Sequence, residues 1–294
     1  MAKNQNYSFI INPVACKQKT DRLIKTIKKI FTAKNYNSTF TVTEGPGHAT
    51  VLARKAAENK TEVVVAVGGD GTVNEVVNGL AGSKSVFAVI PAGTGNDFAH
   101  VINMDKNIEK ACWQIIRGKS KLIDLGTVGD RFFINLVGVG FDGAVANLTN
   151  KHSKRLPGPW MYLLSVFKTL ISYQAVNMKI TIDDKILEYS PMLVAIGSGK
   201  YYGGGIKILP DSLLDDGFFD VCIIRSLGKL ESLNYLARAL SGKHTNLEKT
   251  EIYRCRYLKL EMAAKLPFHV EGEVFFAKEL EFAIQPEAIK VITG

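Results

Sequence analysis

Five consecutive residues, Gly68, Gly69, Asp70, Gly71 and Thr72, have the composition of an anion-binding turn. Glycines let backbone N–H groups approach a phosphate closely, and a helix starting there adds the positive end of its dipole. An aspartate beside phosphates makes sense once a divalent cation or a nucleotide hydroxyl is included. A second small-residue loop, PAGTGNDFA (91–99), comes one strand later, so that Gly69, Gly71, Gly93, Thr94 and Gly95 are placed to build one crevice. In that loop Asn96 and Asp97 read either as nucleotide or metal ligands or as caps of the next turn. Far along the chain, Glu271 and Glu273 stand two apart, spacing that puts both on one face of a strand or on one turn. Taken alone they read as solvated edge acids, and Asp215-Asp216-Gly217 reads as a hairpin turn.

The elements that must carry the two loops are legible around them. YSFII (7–11), TFTVT (39–43), EVVVAV (62–67) and VFAVI (86–90) read as strands, with helical spacing between them. This β-α-β-α-β-α-β order predicts a parallel doubly wound sheet, in which ligands sit at the carboxyl edge. Thr72 and Glu75 have capping-box spacing, and Val73, Val76, Val77 and Leu80 form an apolar stripe, which predicts a helix from Val73. After a helix near 107–117 the pattern changes to successive strands, among them GIKIL (205–209), YRCRYLKLEM (253–262) and LPFHVEGEVFF (266–276). Such a run predicts an antiparallel β-sandwich as a second domain. The expected division is residues 1–125 with a returning strand at 285–294, and residues 126–284.

With 294 residues and 46% hydrophobic content, the chain is long enough for two cores. Cys16, Cys112, Cys222 and Cys255 are far apart, without zinc or disulfide spacing, and read as free thiols in a reducing cytosol. The start of the chain has no apolar signal core and no window reaches membrane-span length, so a soluble cytoplasmic protein is expected. A formal charge of +9 suits anionic partners. No nucleic-acid recognition module is visible. No P-loop is present either, because GKS (118–120) would need glycine where Trp113 stands. GVGFDG (138–143) matches a dinucleotide fingerprint, but no acid follows between Asp142 and Asp183, so it reads as a packing turn. Residues 151–173 join cationic residues to Trp160, Met161, Tyr162, Leu163, Leu164, Val166, Phe167, Leu170 and Ile171, the make-up of either an interfacial helix or a domain-packing helix.

GGDGTVNEVVNGL together with PAGTGNDFA closely resembles the diacylglycerol kinase catalytic-domain family, which includes soluble bacterial lipid kinases and the sphingosine and ceramide kinases. INP (11–13), TEGPGHA (43–49), LPDSLLDDGFFDV (209–221) and VEGEV (270–274) extend the resemblance over essentially the whole chain. It implies an α/β nucleotide-binding domain plus a β-sandwich domain whose last strand returns to the first. It also implies ATP against Asn12, Thr43, Gly68, Gly69, Asp70, Gly71, Thr72, Val73, Asn74, Gly93 and Thr94. Further implications are a structural Mg²⁺ at Asp216 with the carbonyls of Leu213 and Phe218, and Glu273 as proton acceptor with Glu271 assisting. The implied reaction is ATP- and Mg²⁺-dependent phosphorylation of a lipid hydroxyl, most simply that of diacylglycerol, at an anionic membrane surface. Relatives of this kind are often homodimers. Such transfer has a loose transition state, so positioning and charge neutralisation dominate, and a glutamate of ordinary pKa near 4.3 is ionised and able to accept the proton. Two departures stand out: NPVACKQK lacks a glycine common in the family, and Glu271 replaces the aspartate of Asp-Gly-Glu. They motivate the alternative of a catalytically weak, nucleotide-gated lipid-binding or regulatory protein. NAD kinase, which shares a GGDGT-type turn, is the enzyme alternative.

Overall fold

The computed structural model describes residues 5–16, 19–152 and 158–294. The chain divides into two compact units, residues 1–125 with 287–294, and residues 126–286.

In the first unit β1 (Asn6–Ile11), α1 (Thr20–Thr32), β2 (Asn37–Val42), α2 (His48–Glu58) and β3 (Val63–Gly68) alternate in sequence. They are followed by α3 (Asp70–Leu80), β4 (Val86–Pro91), α4 (Asp97–Val101), α5 (Ile108–Arg117) and the start of β5 (Lys119–Val128). The strands pair in the order β4-β3-β1-β2, all parallel. β3, VVVAVG, is buried at all six positions, as a β-branched strand covered on both faces must be. Lys290 and Val291 pair in parallel with Val86 and Phe87, so the end of the chain extends this sheet beyond β4.

The expected capping box does not form. α3 starts at Asp70, with Gly69 as its cap, so Thr72 already lies inside the first turn. Glu75 turns to α2 instead, where its Oε2 accepts the N–H of Ala49 at 3.0 Å. An acid at that helix start satisfies an orphan donor and the dipole together.

The second unit contains β6 (Arg131–Phe133), β7 (Leu136–Gly140), α6 (Phe141–His152), α7 (Gly158–Ser172), β8 (Met178–Ile182), β9 (Lys185–Tyr189) and β10 (Pro191–Gly197). It continues with β11 (Phe219–Arg225), α8 (Lys229–Ala239), β12 (Thr250–Cys255), β13 (Tyr257–Val270) and most of β14 (Glu273–Thr293). Its strands pair antiparallel in the order β12-β11-β10-β7-β13-β14, with β8 and β9 added at β13. Phe133, Val139, Ile196, Phe219, Leu260 and Phe282 belong to the core that these strands enclose. The parallel α/β unit and the antiparallel β unit together make up the fold class expected from the sequence.

GIKIL is not a strand. Gly203, Gly204 and Gly205 all have positive φ, which turns the chain and leaves a single bridge between Tyr202 and Ile206. Ile206 and Ile208 are 5% and 1% exposed, so they fill the core from a loop. α6 and α8 interrupt a region that the sequence reads mainly as strands.

Candidate functional site

The carboxyl ends of β1, β2, β3 and β4 bring the first-unit candidates together. Asn12 follows β1, and its backbone N–H donates to Val67 O of β3 at 3.0 Å. The Asn12 side chain accepts from Val14 N–H at 3.0 Å and donates Nδ2–H to Thr72 Oγ1 at 2.9 Å. Thr43, just past β2, is tied to Ile11 O at 2.8 Å. Ala92 and Gly93 N–H both donate to Gly68 O, at 2.8 and 3.2 Å. The loops after β3 and β4 therefore touch through their backbones, and a Cβ on Gly93 would stand 2.4 Å from Gly69 Cα. A Cβ on Gly68 would meet Thr72 Oγ1 at 2.4 Å. Gly71 differs: its Cβ would meet nothing within 4 Å. Protein packing accounts for glycine at 68, 69 and 93, whereas at 71 it leaves open space in the first turn of α3. That combination fits a phosphate cradle.

Not every expected ligand points into that space. Val73 and Asn74 are 3% and 4% exposed, and Asn74 Oδ1 accepts from Asn78 Nδ2 at 3.1 Å. Their side chains are structural, so a nucleotide role at 73 and 74 is left to the backbone. Asn96, at φ 57°, closes its own loop by accepting Gly93 N–H and donating to Gly93 O, both at 2.9 Å. Asn96 stands at the N-cap position of α4, but its side chain makes no capping bond to that helix. Thr94 is exposed.

Asp70 binds the second loop rather than standing free beside a phosphate. Its Oδ1 accepts Phe98 N–H at 3.2 Å, and a Cβ on Gly95 would lie 2.8 Å from Asp70 Oδ2 and 3.5 Å from Asp97 Oδ2. Burial pushes the Asp70 carboxyl above the usual carboxylate range, opposed by the N–H groups of Phe98, Asn96 and Asp97. A raised native pKa favours the neutral form, so this group's contribution is full below its unfolded value of about 3.9 and is lost as pH rises through the native value. Asp70→Asn is neutral at every pH, so its melting temperature relative to wild type should improve as pH rises from about 4 to 7. Thermal melts at both ends of that range check this, and a constant difference contradicts it.

In the second unit Glu271 and Glu273 occupy a two-residue hairpin. Val270 pairs with Glu273, and Glu271 and Gly272 have φ of 51° and 87°, the double positive φ of a tight turn between twisted strands. The expected single strand through 266–276 is therefore two, and the two acids do not share a face. Glu271 Oε1 accepts N–H from Ile134, Asn135 and Leu136 at 3.1, 2.7 and 3.3 Å. This carboxylate organises the β6–β7 connection, where the resemblance has it assisting Glu273 by helping to hold a catalytic Mg²⁺ or water. Glu271→Ala leaves three donors without that acceptor and is expected to cost about 1–3 kcal/mol, read from denaturant midpoints. Glu273 remains partly exposed, with Arg131 Nη1 3.6 Å from its Oε2. The same guanidinium lies 4.4 Å from the Phe275 ring.

Two further residues, His269 and Asp142, meet beside this hairpin. His269 Nε2 lies 2.6 Å from Asp142 Oδ2, with both side chains 6% exposed. GVGFDG is a packing turn, as read, and its Gly138 makes room for this pair: a Cβ there would stand 2.0 Å from Asp142 Oδ2. His269 and Asp142 are 127 residues apart, and no local signal joins them.

Asp216, the Mg²⁺ ligand that the resemblance implies, is engaged by protein groups in this structure. Its Oδ1 accepts Phe218 N–H at 3.1 Å and its Oδ2 is paired with the Arg254 guanidinium, which also covers the Phe218 ring. The resemblance places Mg²⁺ at this carboxylate with the carbonyls of Leu213 and Phe218; in this structure its charge is balanced by Arg254. Among the described residues no group of three or more His, Cys, Asp or Glu is arranged to hold a metal.

An apolar pocket opens in this unit, lined by Phe141, Leu170, Met192, Tyr202, Ile208 and Tyr235 among others. Of the aromatic and apolar residues expected at 151–173, the side chains of Trp160, Met161, Tyr162 and Leu163 lie outside the described residues. Val166 is 3% exposed, whereas Leu164, Phe167 and Ile171 are 38%, 44% and 68% exposed, so α7 has both a packed and an open apolar face. Among the described residues no helix is long and apolar enough to cross a membrane. All four cysteines are buried free thiols.

Comparison with known proteins agrees with this arrangement. The diacylglycerol kinase catalytic domain matches residues 6–128, and the YegS C-terminal NAD kinase beta sandwich-like domain matches residues 135–293. A diacylglycerol kinase of Staphylococcus epidermidis is 31% identical over 267 residues, 90% of this chain and 84% of that protein. One from Staphylococcus saprophyticus is 30% identical, over 90% of this chain and 88% of its own. A crystal structure of a diacylglycerol kinase from Bacillus anthracis has the same fold, with a TM-score of 0.80 at 22% identity, covering 100% of this chain and 98% of that one. With matches along both units, the chain belongs to the diacylglycerol kinase catalytic-domain family.

Proposed function

We propose that this protein is an ATP- and Mg²⁺-dependent lipid kinase that phosphorylates the hydroxyl of diacylglycerol to give phosphatidic acid. The observation that carries the reading is the cradle: two glycine loops in backbone contact, with open space at Gly71 in the first turn of an 11-residue helix. ATP enters with its magnesium as the substrate complex. Backbone N–H groups of Gly69, Gly71 and Thr72 take the phosphates, while Asn12 and Thr72 hold each other in place and Thr43 and Thr94 border the nucleotide. Glu273 accepts the lipid hydroxyl proton as the new O–P bond forms and the bond to the β-phosphate breaks, releasing ADP. No step passes through a metal at Asp216.

The acyl chains suit the apolar pocket of the second unit, whose lining of aromatic and aliphatic side chains is that of a ligand pocket. Helices α7 and α8 both contribute to its wall, and both also carry exposed apolar residues, including Phe167, Ile171, Leu230 and Leu233. Lys168, Lys229 and Arg238 on the same helices favour peripheral contact with an anionic membrane from the cytoplasmic side. The reading is tested by offering γ-labelled ATP with diacylglycerol, ceramide and NAD⁺ as separate acceptors. Labelling of diacylglycerol is expected. Labelling of NAD⁺ alone would overturn the lipid assignment.

A further inference from the structure

A two-residue hairpin between twisted strands needs little besides positive φ at both positions and the ladder that flanks it. The Glu271-Gly272 turn has more. Gly272 N–H donates to His269 Nδ1 at 3.3 Å, and Gly272 O accepts from Asn150 Nδ2 at 3.2 Å. Glu271 N–H donates to Leu136 O at 3.2 Å while the Glu271 carboxylate takes three N–H groups. Beneath them lies the buried His269–Asp142 contact, roofed by the Tyr202 ring at 6.0 Å.

The hydrogen bonds settle the tautomer. A donor facing Nδ1 requires a lone pair there, so the proton of neutral His269 is on Nε2 and is donated to Asp142. Burying a carboxylate against an imidazole is costly unless every group is satisfied, and an ordinary turn has no use for it. Gly138 is given over to accommodating it, since any Cβ at that position would collide with both Asp142 Oδ2 and His269 Nε2.

We infer that His269, oriented by Asp142, is a positioning residue that fixes Gly272 and thereby aims Glu273, the next residue, at the acceptor hydroxyl. This rests on Glu273 being the base of the proposed kinase. The important bond is the one from Gly272 to Nδ1, and Asp142 acts by holding the proton on the far nitrogen.

Two substitutions separate the two nitrogens. His269→Asn puts an amide oxygen as many bonds from Cβ as Nδ1, which keeps an acceptor for Gly272 but abandons Asp142. His269→Gln puts an amide nitrogen as many bonds from Cβ as Nε2, which keeps Asp142 but abandons Gly272. Phosphate transfer from labelled ATP to diacylglycerol in mixed micelles is compared for wild type, Glu273→Gln and both variants, well below their melting temperatures. Wild-type turnover with loss in Glu273→Gln establishes the underlying reading first. The expected result is that His269→Gln loses about tenfold in kcat, the rate equivalent of one hydrogen bond, with the KM for ATP unchanged, and that His269→Asn keeps more activity than His269→Gln. Equal or greater activity in His269→Gln overturns the proposal, because a purely structural buried pair gives that order. The imidazole ¹⁵N shifts of wild type supply a check independent of any variant's folding: a proton found on Nδ1 of His269 also overturns it.

Discussion

Glu273→Gln is expected to slow phosphate transfer by about 10²–10⁴-fold, the usual contribution of a positioned general base. The amide has nearly the same shape, but it cannot accept the hydroxyl proton. The loss should fall on kcat, with the KM for ATP close to wild type, because the nucleotide cradle is built from β1 to β4 and α3, all outside the hairpin. Stability should barely move, since Glu273 is partly exposed and its contact with Arg131, at 3.6 Å, is an exposed ion pair of small worth. The contrast with Glu271→Ala is the sharper part of the expectation. One acid of the pair controls turnover and the other controls folding, although they are separated by a single glycine. Steady-state kinetics and denaturant midpoints on both variants check this, and a Glu271→Ala enzyme with wild-type stability would contradict it.

Gly71→Ala and Gly93→Ala are expected to fail for opposite reasons. At Gly93 the new methyl would stand 2.4 Å from Gly69 Cα, a backbone atom that cannot rotate away. Overpacking of that kind costs about 1–3 kcal/mol, and the two loops must part to absorb it. Melting temperature and ATP affinity should fall together. At Gly71 the methyl meets no protein atom within 4 Å, and alanine is the better helix former by up to about 1 kcal/mol. Gly71→Ala should therefore fold at least as well as wild type while binding ATP more weakly, because the space it fills is assigned to phosphate. Calorimetric titration with ATP alongside thermal melts separates the cases. Undiminished ATP affinity in Gly71→Ala would remove the phosphates from this turn.

How much of this was legible in the sequence depended on whether the controlling interaction was local. A run such as VVVAVG can only be a strand buried on both faces, and the alternation around it specified the parallel sheet. The glycines were readable as a phosphate cradle because backbone access is a local property, yet which glycine faces packing and which faces open space needed the contact between Gly69 and Gly93. The start of α3 was misplaced because Asp70 and Gly71 are poor helix formers, and tertiary contacts overrode that preference. Glu75 matched a capping box and was instead used by α2. In the hairpin, a positive φ at Glu271 reversed the direction of its side chain and divided the roles of two acids that spacing alone treats alike. Asp216 read locally as a turn residue, and its pairing with Arg254, from 38 residues away, had no local signal. His269 and Asp142 were the least visible, since neither residue's neighbours hint at the other.

The central claim is transfer of the γ-phosphate to a lipid hydroxyl. It is tested most directly by incubating the full chain with γ-labelled ATP, Mg²⁺ and diacylglycerol in mixed micelles and following label into the lipid phase, with Glu273→Gln run beside it. The account predicts labelled phosphatidic acid from wild type and almost none from Glu273→Gln. A wild-type protein that binds ATP but leaves the lipid unlabelled would contradict it.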